Sequence, residues 1–321
     1  MRTLPEPLQN HCILGTHRFE MTPFHFKGEL YLLENFCNYD VADYTFDEYP
    51  PHTEEDGFLI RRLSDDKVIS RVCGVYFASA YAMPNRVYAF GSVVEEDSEK
   101  TLHRIVRFET EDLINWSEPI EVYEAAPGCR VFNTSFAWDG EKFVGVYETD
   151  TPENLYKYIF KFWESSDLKN LKTVDGAYYG LDKYVGANTI YFVDGFYYLL
   201  YLSECGNGCY NTVISRSKDL KNWQDSAIPV IGPDCTHEID PEKRPGGMEL
   251  NASDLELIED KGKTIIFWLG GDQHGCCDMQ CAEFNDTIIC FDFITKLRDF
   301  IFCQVFCACV RVDSCLCKNV L

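Results

Sequence analysis

Short apolar runs alternate with polar turns along most of the chain, and inside each run apolar and polar residues alternate with a period of two, the spacing of half-buried β-strands. No segment sustains a 3.6-residue apolar period, so helices are not expected to build the core. A composite unit, a polar turn followed by a β-branched and aromatic run, recurs five times. It appears as KGELYLLEN from Lys27, PNRVYAFGS from Pro84, DGEKFVGVYET from Asp139, DGFYYLLYLSE from Asp194 and DKGKTIIFWLGG from Asp260. Each copy follows another short apolar run (EMTPFHF, FASAYAM, NTSFAW, GANTIYFV, NASDLELIE), so each predicts a hairpin.

Three copies continue into a second element: TEDLINW, SSDLKNL and SKDLKNW, with the aspartate at 112, 167 and 219. Gaps of 55 and 52 residues between them hold four short strands each, which is what a propeller blade requires. The hydroxyl and the aspartate suit a tight turn, and the Leu and Trp or Leu suit packing between blades. RRLSDDKVIS, around Asp65, reads as a degenerate first copy. The expected fold is all-β, a five-bladed β-propeller. A two-sheet sandwich also has regularly spaced strands, but it does not explain one unit repeated five times.

Length is compatible with one domain: 321 residues, 46% hydrophobic and 15% aromatic, argue against disorder. We place the propeller at residues 1–287 and a Cys-rich tail of changed composition at 288–321. Nine of the 16 cysteines fall in the last 46 residues. Their apolar neighbours, such as Phe300, Ile301, Val305 and Phe306, argue against the polar knuckles of a zinc site, so the tail reads as divergent sequence outside the propeller. In that case the last blade is expected to lack its outer strand and expose an edge.

The formal charge of −23 repels phosphate backbones and anionic membranes; neither nucleic acid nor membrane is an expected partner. MRTLPEPLQNHCILG carries no signal-like apolar run, which gives a cytoplasmic expectation. No phosphate-binding, dinucleotide, zincin or hydrolase-elbow motif occurs, and no cofactor is expected. The cluster His237, Glu238 and Asp240 and the acidic loop from Asp40 to Asp56 with His52 lack a recognised metal-ligand spacing, so they read as solvated loops and no metal is assigned.

The [ST]-x-D-L-x-N-W turn after dG-x-YYLLY hairpins resembles the five-bladed propellers of glycoside hydrolase families 32 and 43 and a bacterial-type group of glycosyl hydrolases. The likeness is strongest in FNTSFAWDGEKFVGVYE, in GANTIYFVDGFYYLLYL with SRSKDLKNW, and in NASDLELIEDKGKTIIFWLGGDQHG; it spans about Phe19 to Thr287. It implies a carbohydrate ligand and hydrolysis of glycosidic bonds. The catalytic pattern of those families is not met. The first inner strand begins Glu20-Met21-Thr22-Pro23, the second reads Phe77-Ala78-Ser79, and Gly186-Ala187-Asn188-Thr189-Ile190 stands where E-G-P-T-I is expected, with Gly186 in place of the glutamate.

In a propeller the ends of second strands meet the starts of inner strands at one face. That gathers Glu34, Glu148, Glu204 and Asp272 with Glu20, Asn133, Asn188, Asn251 and Asp254. Glycoside hydrolysis needs one carboxylic acid and one carboxylate, and the preferred pair is Glu148 as acid and Asp254 as base. Tyr147 is expected to raise the Glu148 pKa, and a polar setting is expected to keep Asp254 ionised. Asn133, Asn188, Asn251, Glu34, Glu204, Asp272, Gln273 and His274 are the expected substrate-binding residues. Each has a structural alternative, since Asp and Asn at strand starts also cap turns and Gly270, Gly271 and Gly275 flank Asp272–His274. A carbohydrate-binding propeller without turnover, and a propeller that binds proteins through an apolar rim, remain open.

Overall fold

The computed structural model describes residues 8–38, 52–95, 101–150 and 157–287; the tail at 288–321 lies outside them. The described residues form strands and connecting turns, without a helix. β1 (Gln9–Thr16) comes first, followed by three four-stranded antiparallel sheets. These are β2 (Phe19–Phe26), β3 (Glu29–Phe36), β4 (Gly57–Arg62) and β5 (Lys67–Cys73); β6 (Val75–Met83), β7 (Arg86–Val93), β8 (Arg104–Thr110) and β9 (Ile120–Glu124); and β10 (Val131–Trp138), β11 (Phe143–Asp150), β12 (Tyr158–Ser165) and β13 (Lys172–Tyr179).

The remaining strands form one eight-stranded sheet. It comprises β14 (Gly186–Val193), β15 (Phe196–Gly206), β16 (Cys209–Ser217) and β17 (Trp223–Asp225), then β18 (Asn251–Asp260), β19 (Lys263–Gly271) and β20 (Cys277–Phe284), with β1 at the edge. A single parallel pair, Tyr210 with Asn251, joins its two antiparallel halves. β2 packs on β6, β6 on β10, β10 on β14, β14 on β18, and β18 returns to β2. This closed cycle of sheets is consistent with a propeller.

The core lies between neighbouring groups of strands. Phe24, Leu33 and Phe58 meet Val75, Val87 and Phe108; Phe90 and Ile105 meet Phe136, Tyr147 and Trp163; Val144, Phe160 and Phe162 meet Ile190, Leu199 and Tyr201. Tyr198, Leu200 and Ile214 meet Leu257, Ile266 and Trp268, and Phe267, Leu269 and Met279 close against Met21 and Leu32. Alternation supplies each face: in FVGVYETD of β11, Val144 and Val146 pack toward β14 and β15 while Phe143 and Tyr147 pack toward β6–β8.

The missing outer strand expected for the last repeat is present, and it comes from the other end of the chain. β1 pairs antiparallel with β20, setting Cys12 opposite Cys281 and Ile13 opposite Gln280. The edge left at β20 by the end of the repeats is therefore covered.

The three aspartate turns share one hydrogen-bond set. Asp167 Oδ1 accepts the N–H groups of Lys169 (2.9 Å) and Asn170 (2.8 Å), Oδ2 accepts Asn170 Nδ2, and Ser165 Oγ accepts the N–H groups of Asp167 and Leu168. Asp112 and Asp219 repeat the pattern. Backbone N–H bonds hold all three carboxyls well below the usual carboxylate range. Leu113, Leu168 and Leu220 take the left-handed conformation and bury their side chains. Asp65 instead pairs with Arg62 at 2.7 Å, so the β4–β5 turn occupies the same position with a different lock.

Leu168 is fully buried, so Leu168→Ala is expected to cost about 2–4 kcal/mol by removing core contacts. A urea-denaturation midpoint equal to the wild type's would show that this turn leucine does not anchor the core.

Candidate functional site

The register of each first strand breaks near its start: between Phe19 and Met21 in β2, Tyr76 and Ser79 in β6, Phe132 and Ser135 in β10, Gly186 and Thr189 in β14, and Ser253 and Glu256 in β18. Such a bulge inserts an extra residue and re-aims its side chain. Phe77, Asn133, Ala187 and Asp254 adopt positive φ at these points (53°, 46°, 50° and 52°), and Glu20 holds the corresponding position in β2.

These residues line one polar recess with Met21, Thr22, Ala78, Ser79, Thr134, Asn188, Thr189 and Glu256, so all five first strands contribute to it. The recess offers about 30 Å³ to water-sized groups, room for about two waters at the ~10–15 Å³ each needs. That space is smaller than a sugar ring.

Glu148, near the end of β11, is 3% exposed and sits behind this wall. Its Oε2 accepts Asn133 Nδ2 and the Ala187 N–H, both at 3.0 Å. Burial, reinforced by Asp254, pushes its pKa up to about 7 against those two hydrogen bonds. The cause is not Tyr147, which faces the other way and stacks on Trp163 with ring centres 4.1 Å apart. Asp254 is also raised by burial, to about 6, with a Ser253 hydrogen bond opposing it, so its setting is less polar than expected from the sequence. Glu256, which accepts the Tyr191 hydroxyl at 2.7 Å, is raised by burial to about 8. Glu20 is raised by burial and then by the charges of Asp254 and Glu148.

Asn133 and Asn188 line the recess with Asp254. Asn188 Nδ2 donates to the Asn133 carbonyl at 2.8 Å, while its buried Oδ1 has no hydrogen-bond partner among the described residues. Asn251 lies outside the lining and donates to Ser253 Oγ at 2.8 Å.

The other expected binding residues are engaged elsewhere. Glu34 is 1% exposed and clasped by Arg18 and Arg61, so it is a buried ion-pair centre. Asp272 pairs with Arg244 at 2.8 Å and caps the turn through the N–H groups of His274 and Cys276. Gln273, with φ of 63°, and His274, whose carbonyl accepts Arg244 Nη1 at 2.9 Å, belong to that turn. Glu204 is exposed at the tip of the β15–β16 hairpin.

Glu20 is marked in the sequence only as a strand start and Glu256 is not marked by the repeat; the Asp254-x-Glu256 spacing, two residues apart on one strand, is the signal that points to the latter. Among the described residues Cys37, His52 and Asp56 bring one potential metal-ligand atom each within 4.8 Å of one another. Asp56 already accepts the N–H groups of Asn38 and Thr53 and faces His52 Nδ1 at 3.0 Å, which accounts for the group as a loop lock. His17 pairs with Asp240 at 2.6 Å and His237 with Asp278 at 2.7 Å, so the His237–Asp240 segment is tied to β20 and the loop after β1.

With this geometry in place, comparison with solved structures shows a shared fold. A thermostable family-43 glycoside hydrolase superposes with a TM-score of 0.62 at 12% identity, covering 89% of this chain and 94% of its own. An α-L-arabinofuranosidase from Lactobacillus brevis gives 0.60 at 12% identity, over 84% and 92%. The glycoside hydrolase family 32 β-fructofuranosidase of Bombyx mori gives 0.55 at 12% identity, over 82% of this chain and 59% of that one. The all-β architecture is thus that of propeller glycoside hydrolases of families 43 and 32. No family model and no curated protein matches the chain.

Because the folded-state pKa of Glu148 is raised from 4.5 to about 7, its contribution favours folding fully below about pH 4.5 and is lost as pH rises through about 7. Glu148→Gln keeps an oxygen for both donors, so its stability is expected to fall less between pH 5 and pH 8 than that of the wild type, by about 2–3 kcal/mol. Parallel pH profiles in urea unfolding would contradict the raised pKa.

Proposed function

We propose that this protein is a five-bladed propeller glycoside hydrolase acting on a neutral glycan or glycoside at the axial recess. The observation that carries the proposal is the convergence of Asp254, Glu20 and Glu256 with two asparagines on one recess to which all five first strands contribute, with Glu148 hydrogen-bonded to Asn133 and Ala187 of its wall. The axis supplies no cation to the lining, which suits hydroxylated rather than acidic sugars. The shared fold with an arabinofuranosidase, a β-fructofuranosidase and a family-43 hydrolase supports carbohydrate as the ligand class.

Glu148 serves as the general acid. Its Oε2 holds two N–H donors, which leaves Oε1 to carry the proton that passes to the departing glycosidic oxygen. Asp254, with the lower pKa of the two, takes a proton from a water as that water attacks the anomeric carbon. Asn188 Oδ1 accepts a sugar hydroxyl, and Phe77, whose ring packs against Tyr76 and Phe132, contributes an apolar part of the wall. At Gly186 a side chain would begin 3.7 Å from Glu148 Oε1; the carboxyl from β11 therefore stands beside the strand on which the resembling families carry theirs.

A second reading, carbohydrate binding without turnover, is favoured by one observation: Glu148 is 3% exposed and lies behind the lining rather than in it. Product release from a panel of arabinosides, fructosides and xylosides separates the two. Hydrolysis by the wild type and a loss of at least about 100-fold in both Asp254→Asn and Glu148→Gln supports the enzyme. Saturable binding without product from any glycan supports the second reading.

The pH profile carries a further expectation. Activity rises as Asp254 ionises near about 6 and falls as Glu148 loses its proton near about 7, giving a narrow bell whose limbs belong to the coupled pair. Activity that is flat from pH 5 to pH 9 would remove these two roles.

A further inference from the structure

β1 is the strand that covers the edge of β20, yet its own side chains are mostly exposed or half-buried. Its docking rests on backbone pairing, on polar contacts such as Asn10 with Glu283, His11 with Gln280 and Thr16 with Asp278, and on a small apolar contribution from half-buried Leu14 and from His11 stacked on Trp268. Strands that bury little apolar surface open locally at low cost. Within this pairing Cys12 lies directly opposite Cys281, and the two sulfurs are 2.9 Å apart. Opposed residues of an antiparallel pair have Cα atoms ~4.5–5.5 Å apart, inside the ~4.4–6.8 Å range of disulfides.

We propose that Cys12 and Cys281 form a reversible disulfide-modification site that locks β1 onto β20. The thiols differ in access. Cys12 is exposed, whereas Cys281 is half-buried, with its thiol pushed up by burial and by its hydrogen bond with Cys12. Cys12 is therefore the sulfur that reacts first. With glutathione disulfide as oxidant, the Cys12 thiolate attacks one glutathione sulfur, forming a mixed disulfide and releasing one glutathione thiolate. The Cys281 thiolate then attacks the Cys12 sulfur and expels the second. Two protein thiols are oxidised to one disulfide, and one glutathione disulfide is reduced to two glutathiones.

The bond would join positions 12 and 281, close to the two ends of the described residues. A cross-link enclosing so long a loop restricts the unfolded chain strongly, and it holds a strand whose neighbour in sequence, β2, lies in a different sheet. A second pair of sulfurs, Cys209 and Cys235, lies 3.8 Å apart between the β15–β16 hairpin and the following loop, and it serves as the internal comparison.

The test is incubation of the full chain with glutathione disulfide or with dithiothreitol, followed by non-reducing peptide mapping, thermal unfolding and hydrogen exchange. The expected result is a linked Cys12–Cys281 peptide, a Tm higher by about 4 °C or more, and at least tenfold slower exchange across residues 9–16. All three effects are lost in Cys12→Ser and kept in Cys209→Ser. The proposal is overturned if Cys12 and Cys281 stay unlinked, whether as thiols or as separate glutathione adducts, or if the link forms without slowing exchange in β1.

Discussion

The bulge near the start of each first strand is the constraint on which the candidate site depends. A regular strand would carry its side chains alternately into the two flanking layers, without the turn at its start that brings residues such as Asn133 and Asp254 to the shared recess. Four of the bulges hold a non-glycine residue at positive φ, a conformation that costs on the order of 1 kcal/mol or more each and persists only where its surroundings fix it. Those surroundings are visible as hydrogen bonds between neighbouring groups of strands. Asn35 gives and accepts a bond with the backbone of Ala78, Ser92 Oγ donates to the Val131 carbonyl, Asn188 Nδ2 to the Asn133 carbonyl and Thr212 Oγ1 to the Ala252 carbonyl. The layered aromatic and aliphatic clusters hold the sheets face to face; these bonds set where the first strands bend.

The electrostatic character of the site follows from that geometry. Four carboxyls gathered at or just behind one recess, two of them buried and two half-buried, are all raised chiefly by burial. Burial is the largest cause in each case, with the charge of Asp254 adding to the rise at Glu20, Glu148 and Glu256. The contrast with the three turn aspartates is instructive: those are exposed, hold backbone N–H donors and titrate well below the ordinary range. Aspartate itself shows both shifts: lowered in the three exposed turns and raised at Asp254 in the recess, with environment deciding which.

Much of the fold was legible in the sequence because each hairpin declares itself locally, through period-two alternation and a polar turn. The inner runs read from EMTPFHF, FASAYAM, NTSFAW, GANTIYFV and NASDLELIE correspond to β2, β6, β10, β14 and β18. The covering strand was not legible, since QNHCILGT pairs with residues more than 260 positions away and carries no local mark of its partner. At the site, Asn133, Asn188 and Asp254 lie in the recess lining because strand starts are marked by the repeat. Glu34 and Asp272 occupy equivalent strand ends but face arginines, Arg18 and Arg61 or Arg244, supplied by distant segments. No alternation pattern encodes such a partner, and the bulges themselves carry no glycine signal.

The most direct test of the central claim is an infrared titration of the carboxyl groups in the folded protein. A protonated-carboxyl band that persists at pH 6, loses intensity as pH passes about 7, and is reduced in Glu148→Gln is the result this account predicts. A spectrum in which every carboxyl is already ionised at pH 5.5 would contradict it.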